Sequence, residues 1–261
     1  MSMKELTEKQ KNSPLYKYYI RDIAPVPAEK AEIVMRGDFN DADGIPIQEV
    51  NRMFEDGYLS DEFGIFHLPG GGVEVSNLTD MPNVTPDMID FWFAWHGLDS
   101  FRYMIWDKDD HYYCQTQNPE ISLNEKLSFK ERYWHTTHIV EEAMLDDMEP
   151  LRFPINFVPP WEVGFDKEKW ENFTGTIVST NGTMIHMLRE KPDGNGYELR
   201  TRFYMGWNFD GTDWHFQERM PVNDMFAKAL LMHNIKEYRH LAEILPEVYA
   251  EFKDNFRVDL E

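Results

Sequence analysis

FAKALLMHNIKEYRHLAEI, Phe226–Ile244, is the stretch whose reading decides the fold. Phe226, Leu230, His233, Glu237, Leu241 and Ile244 recur at helical spacing and form one stripe of an amphipathic helix. Pro221 with Asn223 or Asp224 supplies its start, and the pattern runs at least to Leu245. His233 and Glu237 interrupt the stripe at its middle, one turn apart and side by side. A carboxylate there is costly unless it is paired or binds a metal. The readings are a buried Glu–His hydrogen bond or a face turned enough to keep Glu237 wet, against two ligands of a metal lying under the helix.

Upstream of this helix the chain reads as a β-meander. Strand patterns cover Gly175–Thr180, Thr183–Lys191, Tyr197–Phe209 and Trp214–Arg219, with Asn181-Gly182 and Pro192–Gly196 as turns. Earlier strand-like stretches are Tyr103–Trp106, His111–Gln117 and Arg132 to about Glu142. Thr85-Pro86-Asp87 opens a first helix that should run to His96 and stop at Gly97. Helix, antiparallel sheet and long C-terminal helix in that order predict an α+β helix-grip fold of the START/pollen-allergen kind, with a ligand cavity between sheet and helix. Residues 1–80 are rich in Pro, Gly and acids and read as a small N-terminal accessory domain. They contain a short helical candidate, Pro46–Phe54, and a hairpin turn at Pro69–Gly72. Residues 81–261 read as the main domain.

Composition narrows the function. Against 26 Lys and Arg stand 47 Asp and Glu, a net charge of −21, which repels phosphate backbones and anionic lipid. Nucleic-acid and membrane partners are therefore not expected. The first thirteen residues lack an apolar export segment, and Cys114 is the only cysteine, so a reducing cytoplasm is the expected compartment. A single cysteine also excludes Cys-rich zinc modules and leaves histidine and carboxylate as metal ligands. No GxSxG, GxxxxGK[ST], GxGxxG or HExxH motif occurs, which argues against serine hydrolase, P-loop and dinucleotide enzymes.

Other residues could complete a site. Ile89, Trp92, Phe93 and His96 form the inward stripe of the first helix, so His96 faces the core as a packed histidine or a further ligand. A fourth ligand from the sheet would be Glu131 or Glu142. His186 shares a strand face with Met184 and Leu188. It points toward the cavity as a general base, a hydrogen-bond donor or a packed neutral imidazole. Cys114 reads as packing, and His135, His138, His215 and His240 cannot be told from surface histidines. Trp92, Phe93, Phe203 and Tyr204 would give the cavity an aromatic lining.

Three blocks also carry a family resemblance. Trp95-His96-Gly97-Leu98-Asp99 with Arg102-Tyr103, Trp106 and His111, then Glu131-Arg132-Tyr133-Trp134 with Thr137-His138, then His233-Asn234-Ile235-Lys236-Glu237 resemble the phloretin hydrolase and 2,4-diacetylphloroglucinol hydrolase family. The resemblance runs from about Asp80 to the C-terminus. It implies a zinc-dependent hydrolase that cleaves the bond between an acyl group and a phloroglucinol ring. It also implies a homodimer and one Zn²⁺ per chain held by two His and two Glu. By motif position these are His96, His233, Glu237 and Glu131, with Glu142 still open. His186 falls near the metal, and either it or Glu131 would carry the proton. Tyr204 falls at a substrate position. Met88 and Asp99 stand where diacetyl-specific members bind ring substituents with Tyr and Asn, which points to phloretin ahead of diacetylphloroglucinol. Two rival functions remain: a non-catalytic carrier of hydrophobic ligands, and a redox-active iron oxygenase.

Overall fold

Alternating side chains fix the sheet and its two faces. In the computed structural model, which describes residues 5–144, 149–181, 183–217, 223–258 and 260, eight antiparallel strands form one sheet. The expected turn residue Gly182, strand end Arg219 and helix opener Pro221 lie outside the described residues. The strands are β1 (Gly64–His67), β2 (Val73–Met81), β3 (His111–Thr116), β4 (Thr137–Glu142), β5 (Leu151–Val158), β6 (Thr176–Thr180), β7 (Met184–Glu190) and β8 (Tyr197–Met205). Their order across the sheet is β1-β2-β8-β7-β6-β5-β4-β3. The protein is thus a mixed helix and sheet structure with a large antiparallel sheet and a long C-terminal helix.

Strands β1 and β2 belong to this sheet although they fall inside residues 1–80. Strand β2 pairs with β8 from Val73↔Met205 to Met81↔Tyr197 and so crosses residue 80. The hairpin between β1 and β2 turns through residues 68–72, where Gly70, Gly71 and Gly72 all adopt positive φ. The expected helix at Pro46–Phe54 is a 3-10 segment, Ile47–Phe54. Its Ile47, Val50 and Met53 cover the rear of the sheet, against Ile177, Ile185, Met187 and Tyr204.

The first helix spans Pro86–Trp95, and a 3-10 turn, His96–Leu98, ends it. Gly97 allows a close approach: a Cβ there would lie 2.4–2.7 Å from three atoms of the His138 ring. The expected strand Tyr103–Trp106 is instead part of a short helix, Ser100–Met104, capped by Asp99. The expected strand from Arg132 to Glu142 is broken, because His135 has φ 58° and only Thr137–Glu142 is extended. Gly206, at φ 90°, splits the expected Tyr197–Phe209 strand and sends Trp207–Phe209 into a two-stranded hairpin with Trp214–Phe216.

The C-terminal helix runs Asp224–Phe252, passing through Pro246. Its N-terminal half packs Ala227, Leu230, Leu231 and Ile235 against Val73 and Val75 of β2. Its C-terminal half joins Leu241, Ile244, Val248 and Phe252 to the aromatic core of the first helix. No helix among the described residues is long and apolar enough to cross a membrane.

Candidate active site

Between the front of the sheet and the C-terminal helix lies a cavity of about 560 Å³. Residues two apart on a strand share a face. Met184 and His186 of β7 and Phe203 and Met205 of β8 therefore line it, together with Phe93 of the first helix and Tyr238 of the C-terminal helix.

At one end four buried groups converge. His111 opens β3 and Glu142 closes β4, and the two are register partners on adjacent strands. His233 and Glu237 reach down from the C-terminal helix. His111 Nε2 is 3.6 Å from Glu237 Oε2, and His233 Nε2 is 3.7 Å from the same oxygen. Donors about 2.0–2.1 Å from a tetrahedral zinc would stand roughly 3.4 Å apart, so the spacing suits such an ion. The outer nitrogens are tied down. His111 Nδ1 meets the Tyr103 carbonyl at 3.1 Å, and His233 Nδ1 meets Asp110 Oδ2 at 2.9 Å. Ligand histidines are oriented in this way, with the other nitrogen turned to the metal. Glu142 accepts a hydrogen bond from the Tyr103 hydroxyl, and Glu237 Oε1 accepts one from Asn234 Nδ2 at 3.2 Å. The Tyr103 ring lies flat on His111, 3.8 Å between centroids and 3° between planes.

The electrostatics ask for a cation. Burial, reinforced by Glu142 and Asp107, pushes the Glu237 carboxyl up to about 8, and burial also raises Glu142. Burial alone would lower His233, yet Glu237, Asp110 and Glu142 drive it up to about 10. Acids raised by burial beside an imidazole raised by those acids hold protons that a divalent ion could displace. Two imidazoles and two carboxylates therefore fit a divalent transition ion in both donor chemistry and charge.

The remaining expected site residues fall elsewhere. His96 borders the cavity but is not grouped with His233 and Glu237. Its ring stacks on Trp92 and on Tyr103, each 5.6 Å away, so Tyr103 stands between it and His111. His111, not His96, is the histidine grouped with His233 and Glu237. Glu131 lies apart from this cluster: it is exposed in the 3-10 turn Lys130–Arg132 and accepts from Ser128 N at 2.8 Å and Ser128 Oγ at 2.6 Å. Ser128-x-x-Glu131 is a capping-box pattern, a local reason for a glutamate at that spacing. Of the two glutamates left open, Glu142 lies at the cluster.

Tyr204 is buried on the rear face of β8, one residue out of phase with Phe203 and away from the cavity. Met88 packs against the aromatic core, and Asp99 caps the next helix by accepting from Phe101 N at 2.8 Å; neither lines the cavity. Trp92 stays within the core, while Phe93 and Phe203 reach the cavity wall. His186 lies on that wall, its Nδ1 2.9 Å from Thr201 Oγ1 and its ring stacked on Phe93. Burial pushes it down to about 3, so it is neutral at pH 7. His138 and His240, which the sequence left among surface histidines, are both buried. His111 and Tyr103 had one legible sign: both stand in the Arg102-Tyr103, Trp106 and His111 run after Trp95-His96-Gly97, but nothing local marks them as neighbours of the last helix.

A helix laid over a sheet-lined cavity, with a buried histidine and carboxylate cluster at one end that could hold a metal ion, is the frame of a small-molecule enzyme. The chain belongs to the family of the DAPG hydrolase PhiG domain, whose model matches residues 45–250. It is 33% identical to a phloretin hydrolase of Eubacterium ramulus, over 95% of this chain and 94% of that protein. It is 27% identical to a 2,4-diacetylphloroglucinol hydrolase of Pseudomonas protegens, over 93% of this chain and 85% of that protein. A third relative, a 2,4-diacetylphloroglucinol hydrolase of a Pseudomonas species, is 26% identical over 93% of this chain. The protein is an enzyme, a hydrolase of this family.

Proposed function

We propose that this protein is a zinc-dependent hydrolase that splits the carbon–carbon bond between an acyl group and a phloroglucinol ring, with phloretin as its substrate. The observation that carries the reading is the buried His111, His233 and Glu237 cluster, whose ligand atoms lie within 4.8 Å of one another, with buried Glu142 beside it on the wall of an aromatic-lined cavity. The relative at 33% identity is named for phloretin, which favours that substrate over diacetylphloroglucinol. Met88 and Asp99 no longer bear on the choice, since they lie off the cavity. The same four residues would hold the ion, and a zinc ion bound there supplies a Lewis acid that polarises a carbonyl oxygen.

The chain's own residues supply the rest. Phe93 and Phe203 offer aromatic faces to a flat polyphenol. Tyr103 orients Glu142 through its hydroxyl. With Nδ1–H donated to Thr201 Oγ1, His186 presents Nε2 as a neutral acceptor. We assign it the transfer of a proton from a phenolic oxygen to the ring carbon that loses its acyl group. Water adds to the acyl carbonyl, and as the carbon–carbon bond breaks its electron pair passes into the ring; the ring carbon keeps the proton taken from the phenolic oxygen, and the proton released by the water restores that phenol.

The architecture supports a helix-grip assignment, in which the sheet wraps the C-terminal helix. A separate N-terminal unit, if the chain has one, is proposed to end before Gly64 and not at residue 80, because β1 and β2 are sheet strands.

Incubating zinc-loaded protein with phloretin should release phloroglucinol and phloretate, resolved by chromatography. Diacetylphloroglucinol should turn over more slowly. Absence of turnover of any acylphloroglucinol by protein carrying one zinc per chain would refute the substrate reading and favour a ligand carrier.

A further inference from the structure

At the other side of Tyr103 lies a second convergence that the proposed reaction does not use. His96, Cys114 and His138 are buried, and one ligand atom from each lies within 4.8 Å of the other two. His138 is fully buried, and among the described residues neither of its ring nitrogens has a hydrogen-bond partner. Two orphaned buried nitrogens on one ring are costly, and such groups call for an occupant. The His138 ring is held in place, since it packs against Phe157 at 4.8 Å and against the bare backbone of Gly97. His96 presents one free nitrogen: its Nδ1 is 2.8 Å from the Trp92 carbonyl, which makes Nδ1 the donor and Nε2 the lone pair. The two imidazoles face each other edge to face at 5.1 Å. Burial keeps both neutral, the form that binds metal, and keeps the Cys114 thiol protonated until a cation displaces its proton.

We propose that His96, Cys114 and His138 form a second metal site, distinct from the His111, Glu142, His233, Glu237 centre, for a zinc-class divalent ion held by two imidazoles and one thiolate. The softer donor set favours such ions over magnesium or calcium. Binding releases one proton from Cys114 and leaves a fourth position facing the cavity, which both histidines line. The site does not depend on which substrate the enzyme takes.

The test uses the full chain, stripped with a chelator and titrated with cobalt(II) alone. Two equivalents should bind per chain, and one of them should bring a thiolate-to-cobalt charge-transfer band in the near ultraviolet. Cys114→Ser, which is nearly isosteric, should abolish that band and weaken one equivalent by more than about tenfold while the other stays. His111→Ala should weaken the other equivalent and keep the band. A single equivalent, no thiolate band in the wild-type protein, or a band that survives Cys114→Ser would overturn the proposal. In those cases water or a polar group of the substrate satisfies His138.

Discussion

Tyr103 joins the two halves of the cavity, with its ring between His96 and His111 and its hydroxyl on Glu142. Removing that hydroxyl should loosen the carboxylate without emptying the pocket. Tyr103→Phe should therefore retain zinc about 10–100-fold less tightly in competition with a chelator. His111→Ala should lose bound zinc and turnover together, whereas Glu131→Gln should leave both within about twofold, since Glu131 serves only its own turn. A metal-replete, active His111→Ala would remove the assignment. His240 gives a prediction about pH. Its Nδ1 accepts from Ala24 N at 3.2 Å, and burial, with Lys108 and Arg21 nearby, pushes it down to about 4. A histidine lowered in the fold stabilises fully above its unfolded value near 6.5 and loses that contribution as pH falls toward 4. The loss is about 1.4 kcal/mol per pH unit in that window. Urea titrations at pH 7, 6 and 5 should show a shallower slope in His240→Gln by about one proton. An unchanged slope would mean that His240 is already charged in the fold.

At the level of elements, caps and strand edges explain where the pattern was legible. Asn223 is the N-cap of the C-terminal helix and its side chain accepts from Phe226 N at 2.7 Å, so Asn223→Ala should cost about 1 kcal/mol in denaturant unfolding. The C-terminal helix continues past Pro246 because a proline forfeits one backbone bond, while Val248 and Phe252 still bury their side chains. Aromatic residues at Tyr103–Trp106 suggested a strand, but Asp99 accepting from Phe101 N starts a helix there, and a cap outweighs a weak β preference. Pro154 lies inside β5 and is tolerated there because, among the described residues, β5 pairs with β6 only at Phe157 and Val158, away from Pro154. Gly97→Ala should destabilise by about 1–3 kcal/mol, since its methyl would strike the His138 ring and that ring has packed neighbours behind it. A neutral effect would show that the ring can move.

For the molecule as a whole, the N-terminal stretch is bound into the sheet by charge. Arg202 is fully buried, 2.7 Å from Asp61 Oδ2 and 3.2 Å from Glu74 Oε1, and Arg200 lies 2.6 Å from Glu62 Oε1. Arg202→Met would leave Asp61 and Glu74 buried without their cation, which should cost about 3–5 kcal/mol in thermal or urea unfolding. A loss under 1 kcal/mol would mean that water reaches these acids. A local helical period was enough to place His233 and Glu237 on one buried stripe, because side chains one turn apart meet whatever the rest of the chain does. The composition likewise determined that a carboxylate-rich chain with one cysteine would draw the main centre from histidine and glutamate. Which histidine and which glutamate complete it was a matter of tertiary structure. His111 and Glu142 are 31 residues apart and meet through the register of β3 on β4, and both meet the last helix only because the sheet packs beneath it. Register and packing depend on contacts far apart in the chain, so the same sequence reading that found one half of the centre had no means of choosing His111 over His96.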